Sequence, residues 1–321
     1  MLFTNLILFT LYCIILVASA ITLVKSLKKI SKFLKIPEFT AAFIIMAVAT
    51  SLPELFVGIS SALAKNPELS LGNILGAGLL NLTLIIGIFT IVSKKLPVKT
   101  IQLKKEASIL SSTIILLIIL FLIDQQLSRI DGIILLTLFT LNTHRLYKNS
   151  KLTTSKIKKQ AKKNKYSENT SKIFILFVIG LILLFFSSRY AVKYAALIAG
   201  DLNLPKIIIG LFLISIATTL PELIFGLSAI KMKHKEMAIG DQIGTVFANL
   251  TLILGIVAII QPIKADLSSF IISSIFFLFG TLLFIHFIKT KNRLEIKEGI
   301  LLIIFYILFA FTEIILKHTL F

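Results

Sequence analysis

The chain has 321 residues, 57% of them hydrophobic and 15% charged, with a formal net charge of +19 and a mean hydropathy of +0.98. A soluble domain carries roughly 25% charged residues and about 45–50% apolar ones, whereas here the apolar residues gather in runs of the roughly 20 residues that cross a bilayer. Soluble enzymes, disordered tails and secreted disulfide scaffolds are excluded, the last because Cys13 is the single cysteine.

In chain order, apolar runs between charged breaks predict ten membrane-spanning helices, near residues 2–24, 38–64, 70–93, 106–123, 130–147, 173–199, 205–230, 238–260, 267–288 and 299–316. The fold class is an all-α polytopic membrane protein. The first run contains Ala18-Ser19-Ala20, a small-residue pattern that signal peptidase accepts. No positive charge precedes it and the run is too long for a signal peptide, so it reads as a retained span. Between the fifth and sixth spans, residues 148–172 hold nine lysines against the single acid Glu168. This polar stretch reads as a mobile basic linker. It divides a first five-helix half, 1–147, from a second, 173–321.

Alternate loops differ sharply in basic residues. One set holds Lys25, Lys28, Lys29, Lys32 and Lys35, then Lys94, Lys95, Lys99, Lys104 and Lys105, the linker, Lys231, Lys233 and Lys235, and finally Lys289, Lys291, Arg293 and Lys297. The other set offers little beyond Lys65, Arg129, Lys206 and Lys264. Cytoplasmic loops retain positive charge, so the first set and the linker are assigned to the cytoplasm and both termini to the outside of the cell membrane. The basic excess then orients the chain in its lipid bilayer. Nucleic acid is not an expected partner, and a monomer is the expected form.

The two halves repeat at an offset of 168 residues. Pro37 maps to Pro205, Ala49-Thr50 to Ala217-Thr218, and Leu52-Pro53-Glu54-Leu55 to Leu220-Pro221-Glu222-Leu223. Gly72 and Gly76 map to Gly240 and Gly244, and Asn81-Leu82-Thr83-Leu84 to Asn249-Leu250-Thr251-Leu252. No gap is needed from 37 to 87. Asp131-Gly132-Ile133 echoes Glu298-Gly299-Ile300 at an offset of 167. Five spans per half is an odd number, so the second half enters the membrane inverted, the arrangement of many secondary transporters.

The repeated residues suggest a cation site. Glu54 and Glu222 fall inside apolar spans, where a carboxylate costs about 2.5–3.5 kcal/mol on insertion scales. Arg189 and Lys193 are the nearest intramembrane bases in the sequence. Pro53 and Pro221 have no N–H to give the carbonyls of Ala49 and Ala217, and hydroxyls of Thr50, Ser51, Thr218 and Thr219 stand beside them. Asn81 and Asn249 add neutral amide oxygens, with Ala77 against Thr245 and Asn73 against Asp241 at the spacing of one helix face. Gly72, Gly76, Gly240 and Gly244 are expected to let helices approach closely. Carboxylates, carbonyls and hydroxyls form a hard-oxygen shell for calcium, sodium or magnesium. His144, His234, His286 and His318 lie near predicted helix ends and read as surface residues.

Residues 49–54, A-T-S-L-P-E, and 217–222, A-T-T-L-P-E, resemble the G-[ST]-S-x-P-E core of the α-repeats in the calcium/cation antiporter superfamily. G-N-x-x-G-x4-N at 72–81 and G-D-x-x-G-x4-N at 240–249 resemble the second half of those repeats, and the branch most similar is the prokaryotic sodium/calcium exchangers. The resemblance implies a calcium site centred on Glu54 and Glu222, with sodium sites sharing those carboxylates and no resident cofactor. Three departures bear on it. Ala49 and Ala217 replace the family glycine, which stiffens the helix break; Ala77 lacks the hydroxyl that Thr245 keeps; and both 81 and 249 are Asn where one Asp is usual. Asp241 stands two turns away as a third acid. The resulting expectation is a calcium/sodium antiporter and not an enzyme, with calcium/proton exchange on the same fold as the alternative.

Overall fold

The computed structural model describes residues 2–63, 65, 67–98, 101–158, 170–201, 215–265 and 267–319. Its helices follow the apolar runs. They are α1 (Leu2–Leu34); α2, built from Glu38–Ala41, the π-helical turn Ala42–Met46 and Ala47–Thr50; and α3 (Leu52–Leu63). α4 begins as Glu68–Leu80, passes through the π-helical turn Asn81–Ile85 and ends as Ile86–Ser93. Then come α5 (Ile101–Asp124), α6 (Arg129–Lys158), α7 (Thr170–Asp201) and α8 (Ser215–Lys231). α9 joins Lys235–Ala248, the π-helical turn Asn249–Ile253 and Leu254–Ile260; α10 (Leu267–Lys291) and α11 (Ile296–Thr319) complete the chain. Large apolar side chains stand exposed along them, among them Ile14, Phe56, Ile119 and Phe279. Such a surface suits hydrocarbon, where a helix also satisfies its own backbone. The chain is a multi-pass membrane protein.

Helix ends depart from the predicted spans where polar residues extend a helix beyond the bilayer. α1 runs on to Leu34, and α6 and α7 take in the linker as far as Lys158 and from Thr170 onward. The polar segment is thus helical at both ends, because Lys, Asn, Thr and Ser continue a helix once lipid no longer selects against them. Its residues 159–169 and the start of the seventh span, 202–214, lie outside the described residues.

The chain divides into two compact units that do not coincide with its sequence halves. The first comprises residues 1–53 and 141–241, the second 54–140 and 242–321. In the first unit α1 packs along α7, its own repeat mate. Tyr12 stacks on Tyr190 with ring centroids 4.9 Å apart, Leu23 meets Gly180, and Phe33 meets Phe174 edge-on at 6.2 Å. Numbers rise along one helix as they fall along the other. The mates are antiparallel, as an inverted repeat requires.

The second unit repeats the lesson with α5 and α10, the fourth and ninth spans, which pack together with Phe121 stacked on Phe270 at 3.8 Å. Each end of this pair is tied by a short antiparallel ladder between opposite halves. At one end β1 (Lys95–Pro97) pairs with β4 (Arg293–Glu295), with Leu96 opposite Leu294. At the other β2 (Gln126–Leu127) pairs with β3 (Ile263–Lys264), with Leu127 opposite Ile263. Glycine contacts obey the same exchange. A Cβ built on Gly87 of α4 would lie 2.7 Å from the Gly299 carbonyl of α11, and one on Gly132 of α6 would lie 2.7 Å from the Gly255 carbonyl of α9. Gly87 and Gly255 are repeat mates, as are Gly132 and Gly299. Each half therefore completes its packing on the other, through backbones that only small residues allow to meet.

Gly240 also serves close approach, since a Cβ there would come within 2.6 Å of the Phe39 carbonyl, but Gly72 and Gly76 do not, having no atom within 4 Å of a built Cβ. The expectation of close packing at those two is corrected: they open onto free space. Gly87→Ala should therefore lower the thermal midpoint of the purified protein, by the roughly 1–3 kcal/mol of an overpacked contact. Gly72→Ala should leave it unchanged. Size-exclusion recovery after heating in detergent measures both.

Candidate cation site

The backbone prepares the motif residues differently in the two repeats. α2 ends at Thr50 because Ser51 adopts φ −78° and ψ 2°, outside the helical basin, and Pro53 follows without an N–H. Glu54 then sits in the first turn of α3, where the helix N-terminus favours a negative charge. In the second repeat the same motif runs unbroken, with Pro221 inside α8. Among the described residues the break occurs in one repeat only.

The asparagines are prepared alike. The π-helical turns of α4 and α9 each begin on the amide-bearing residue, Asn81 and Asn249. A π turn is rare and frequently marks a functional site, because it re-aims the side chains on one face of a helix. Two residues farther on, Thr83 donates to the Leu79 carbonyl at 2.5 Å and Thr251 to that of Phe247 at 2.6 Å. Asparagine and proline signals gave the positions in the sequence, but no residue pattern there distinguished a π turn from an α turn.

Nine of the twelve candidate residues are buried at 2% exposure or less: Thr50, Ser51, Glu54, Asn81, Thr219, Glu222, Asp241, Thr245 and Asn249. Ala49 is half-buried, while Ala217 and Thr218 lie in α8 with side chains outside the described ones. Thr50, Ser51, Thr219, Glu222 and Asp241 belong to the first unit, and Glu54, Asn81, Thr245 and Asn249 to the second. Within the first, the Ala47–Thr50 turn packs against α8, so the two motif segments are neighbours. Within the second, α4 packs against the Asn249–Ile253 turn. α3 is wedged beside both, since a Cβ on Gly58 would lie 2.9 Å from Val257 Cγ2 and 3.0 Å from Ser70 Oγ. The helices that carry Glu54, Asn81 and Asn249 thus meet.

The electrostatics are those of an oxygen-rich interior. Thr50 donates its hydroxyl proton back to the Met46 and Ala47 carbonyls at 3.2 and 3.3 Å. Ser51 Oγ and both amide atoms of Asn81 and of Asn249 are buried and make no hydrogen bond among the described residues. A buried polar group left unbonded costs about 1–3 kcal/mol, and such groups in a folded protein call for a ligand or a water. Amide and hydroxyl oxygens beside carboxylates fit a hard cation. Arg189 and Lys193, the bases that the sequence offered, have exposed side chains, and Lys193 lies over the Tyr194 ring at 5.9 Å.

Two features went unread in the sequence. Gln242, next to Asp241, is fully buried. His234 is no bare surface residue: its Nδ1 lies 2.8 Å from Glu38 Oε2, with side-chain exposures of 13% and 30%. A partner 196 positions away leaves no local signal.

The chain is similar to known membrane proteins over most of its length. Residues 4–147 and 172–315 each match the family described as sodium/calcium exchanger protein. The chain is 28% identical to the inner membrane protein YrbG of Escherichia coli K12, over 79% of either chain. It is 30% identical to the putative antiporter CaxA of Alkalimonas amylolytica, over 78% of either. Its fold is similar to a solved structure of the sodium-calcium exchanger NCX_Mj soaked with zero Na+ and Ca2+, with a TM-score of 0.81 and 25% identity over 96% of this chain and 98% of that one.

If the amides at 81 and 249 await a ligand, an apolar isostere there should help the metal-free protein. Asn81→Leu and Asn249→Leu are each expected to raise its thermal midpoint, by removing a penalty of about 1–3 kcal/mol. Both should abolish the further rise that calcium gives the parent protein. A fall in the metal-free midpoint would show that the amides are satisfied.

Proposed function

This chain belongs to the sodium/calcium exchanger protein family, as a membrane cation exchanger and not an enzyme, and from that premise we propose that it exchanges calcium for sodium by alternating access. The observation that carries the reading is the buried, repeat-related glutamates Glu54 and Glu222, accompanied by the buried asparagines 81 and 249, whose side-chain amides make no hydrogen bond among the described residues. Carboxylates inside hydrocarbon are tolerated when a cation answers them. The donors on offer are all oxygen: Glu54, Glu222, Thr50, Ser51, Thr218, Thr219, Thr245, the amides, and the Ala49 and Ala217 carbonyls that lose their amide partner to proline. That set suits calcium and sodium.

Charge sets the logic of exchange. Two carboxylates balance one calcium ion, while three sodium ions exceed them by one charge. Calcium and a full sodium load therefore exclude each other, and occupancy by one drives out the other. Asp241, buried in α9, is the third acid of the proposed set. The orientation that fits the Lys and Arg distribution places the basic loops and the 148–172 linker in the cytoplasm and both termini outside the cell membrane.

Glu54→Gln and Glu222→Gln should each reduce sodium-driven calcium-45 uptake into proteoliposomes by at least tenfold while the protein elutes as before, because losing an intramembrane charge lowers the insertion cost. Near-normal exchange by either variant would refute the assignment.

A second reading, with protons as the counter-ion, draws on one specific observation. Ala77 is buried on α4 and offers no hydroxyl where its repeat mate Thr245 does. If sodium is exchanged, Ala77→Ser adds an oxygen to a hard-cation shell and should raise apparent sodium affinity severalfold, while Thr245→Ala lowers it. Calcium flux that follows a pH gradient at zero sodium, with neither variant altering it, would establish protons instead.

A further inference from the structure

Glu38 and His234 are each fixed by their backbones. α1 closes with Ile36 N–H on the Ser31 carbonyl at 3.0 Å and Lys35 N–H on that of Lys32 at 3.2 Å, Lys35 taking φ 58°. This is a left-handed helix stop, and Glu38 follows it as the first residue of α2. α8 closes the same way, with His234 N–H on the Ala229 carbonyl at 2.7 Å, Lys233 N–H on that of Ile230 at 2.9 Å, and Lys233 at φ 66°. The His234 carbonyl then accepts Met237 N–H at 3.0 Å and opens α9. The imidazole is thereby held at a two-helix corner with Nδ1 2.8 Å from the Glu38 carboxylate. Close by, the Phe39 carbonyl abuts Gly240. The two segments so joined lead inward, α2 to Thr50 and Ser51, α9 to Asp241.

We propose that Glu38 and His234 form a proton-binding latch on one membrane face, which closes when His234 is protonated and slows exchange. Imidazole is the side chain that ordinarily changes charge between pH 5 and 8, and protonation turns its hydrogen bond to the carboxylate into an ion pair. The charged groups around it are mixed. Glu236 of α9 adds a second carboxylate, and its charge repels that of Glu38. Lys231, Lys233 and Lys235 flank the turn, with Lys29, Lys32 and Lys35 at the end of α1 and Lys172 near the start of α7. The latch is also one-sided. The repeat mates of Glu38 and His234 are Lys206 and Asn66, which cannot form such a pair. On the orientation proposed above the latch lies on the cytoplasmic face, so cytoplasmic acid alone should act through it. The regulated step rests on the exchange proposed above; the latch does not.

Two measurements separate those claims. In inverted membrane vesicles, trypsin cleavage at Lys231 and Lys233, normalised to cleavage within residues 148–172, should fall about threefold from pH 8 to pH 6.5, the size of a partly exposed ion pair. Glu38→Gln and His234→Gln should each abolish the fall. Sodium-driven calcium-45 uptake by the same vesicles should slow about threefold with external acid in the parent protein and not in His234→Gln, whereas lumenal acid gives no difference between them. Equal pH dependence of cleavage in parent and Glu38→Gln overturns the latch. A latch that passes the cleavage test in vesicles without calcium flux would count against calcium as the cargo and leave the latch standing.

Discussion

A carboxylate held in hydrocarbon has to be answered by positive charge, and the rest of this structure is arranged around that demand. Glu54 and Glu222 are almost wholly buried in a chain whose outer surface is apolar. Buried hydroxyls and amides are carried by α2, α4, α8 and α9, while the side chains of Arg189 and Lys193 are exposed. A fixed lysine or arginine partner would make a permanent ion pair with nothing left to transport. The exchange proposed above asks instead that the carboxylates answer a mobile cation.

Holding such a site open needs a stiff frame, and the inverted repeat supplies one by exchange between halves. α1 lies antiparallel on α7 in one unit, and α5 on α10 in the other. Both two-stranded ladders join opposite halves, and so do the glycine contacts Gly87 to Gly299 and Gly132 to Gly255. Neither half can complete its core alone. The divisions between the compact units fall at Pro53–Glu54 and Asp241–Gln242, within the very segments that carry the acids. Motif and boundary coincide at these points in the chain.

Symmetry is broken where the two faces must behave differently. α2 stops at Ser51 while α8 runs through Pro221, Ala77 faces a threonine counterpart, and Glu38 with His234 answers Lys206 with Asn66. Two chemically identical faces would give a carrier with no means of telling inside from outside except by the ion gradients. On the exchange and the latch proposed above, single substitutions at repeat-related positions supply that distinction within a shared frame.

The sequence by itself determined the membrane class, the ten apolar runs, the inverted repeat and the identity of the buried acids and amides. Each of these is written in local composition or in direct repetition, and lipid enforces them strictly because it offers no water to an unsatisfied polar group. It also made Gly72 and Gly76 look like packing positions and His234 like a surface residue, since a glycine or a histidine reads the same whatever stands opposite. Only the tertiary structure decided that Gly87 and Gly132 are the close contacts, that Asn81 and Asn249 open π turns, that helices continue into the basic linker, and that His234 meets Glu38. Those outcomes depend on groups brought together from far apart in the chain, and on one hydrogen-bond register prevailing over another. Neither has a signature in the order of residues along one helix.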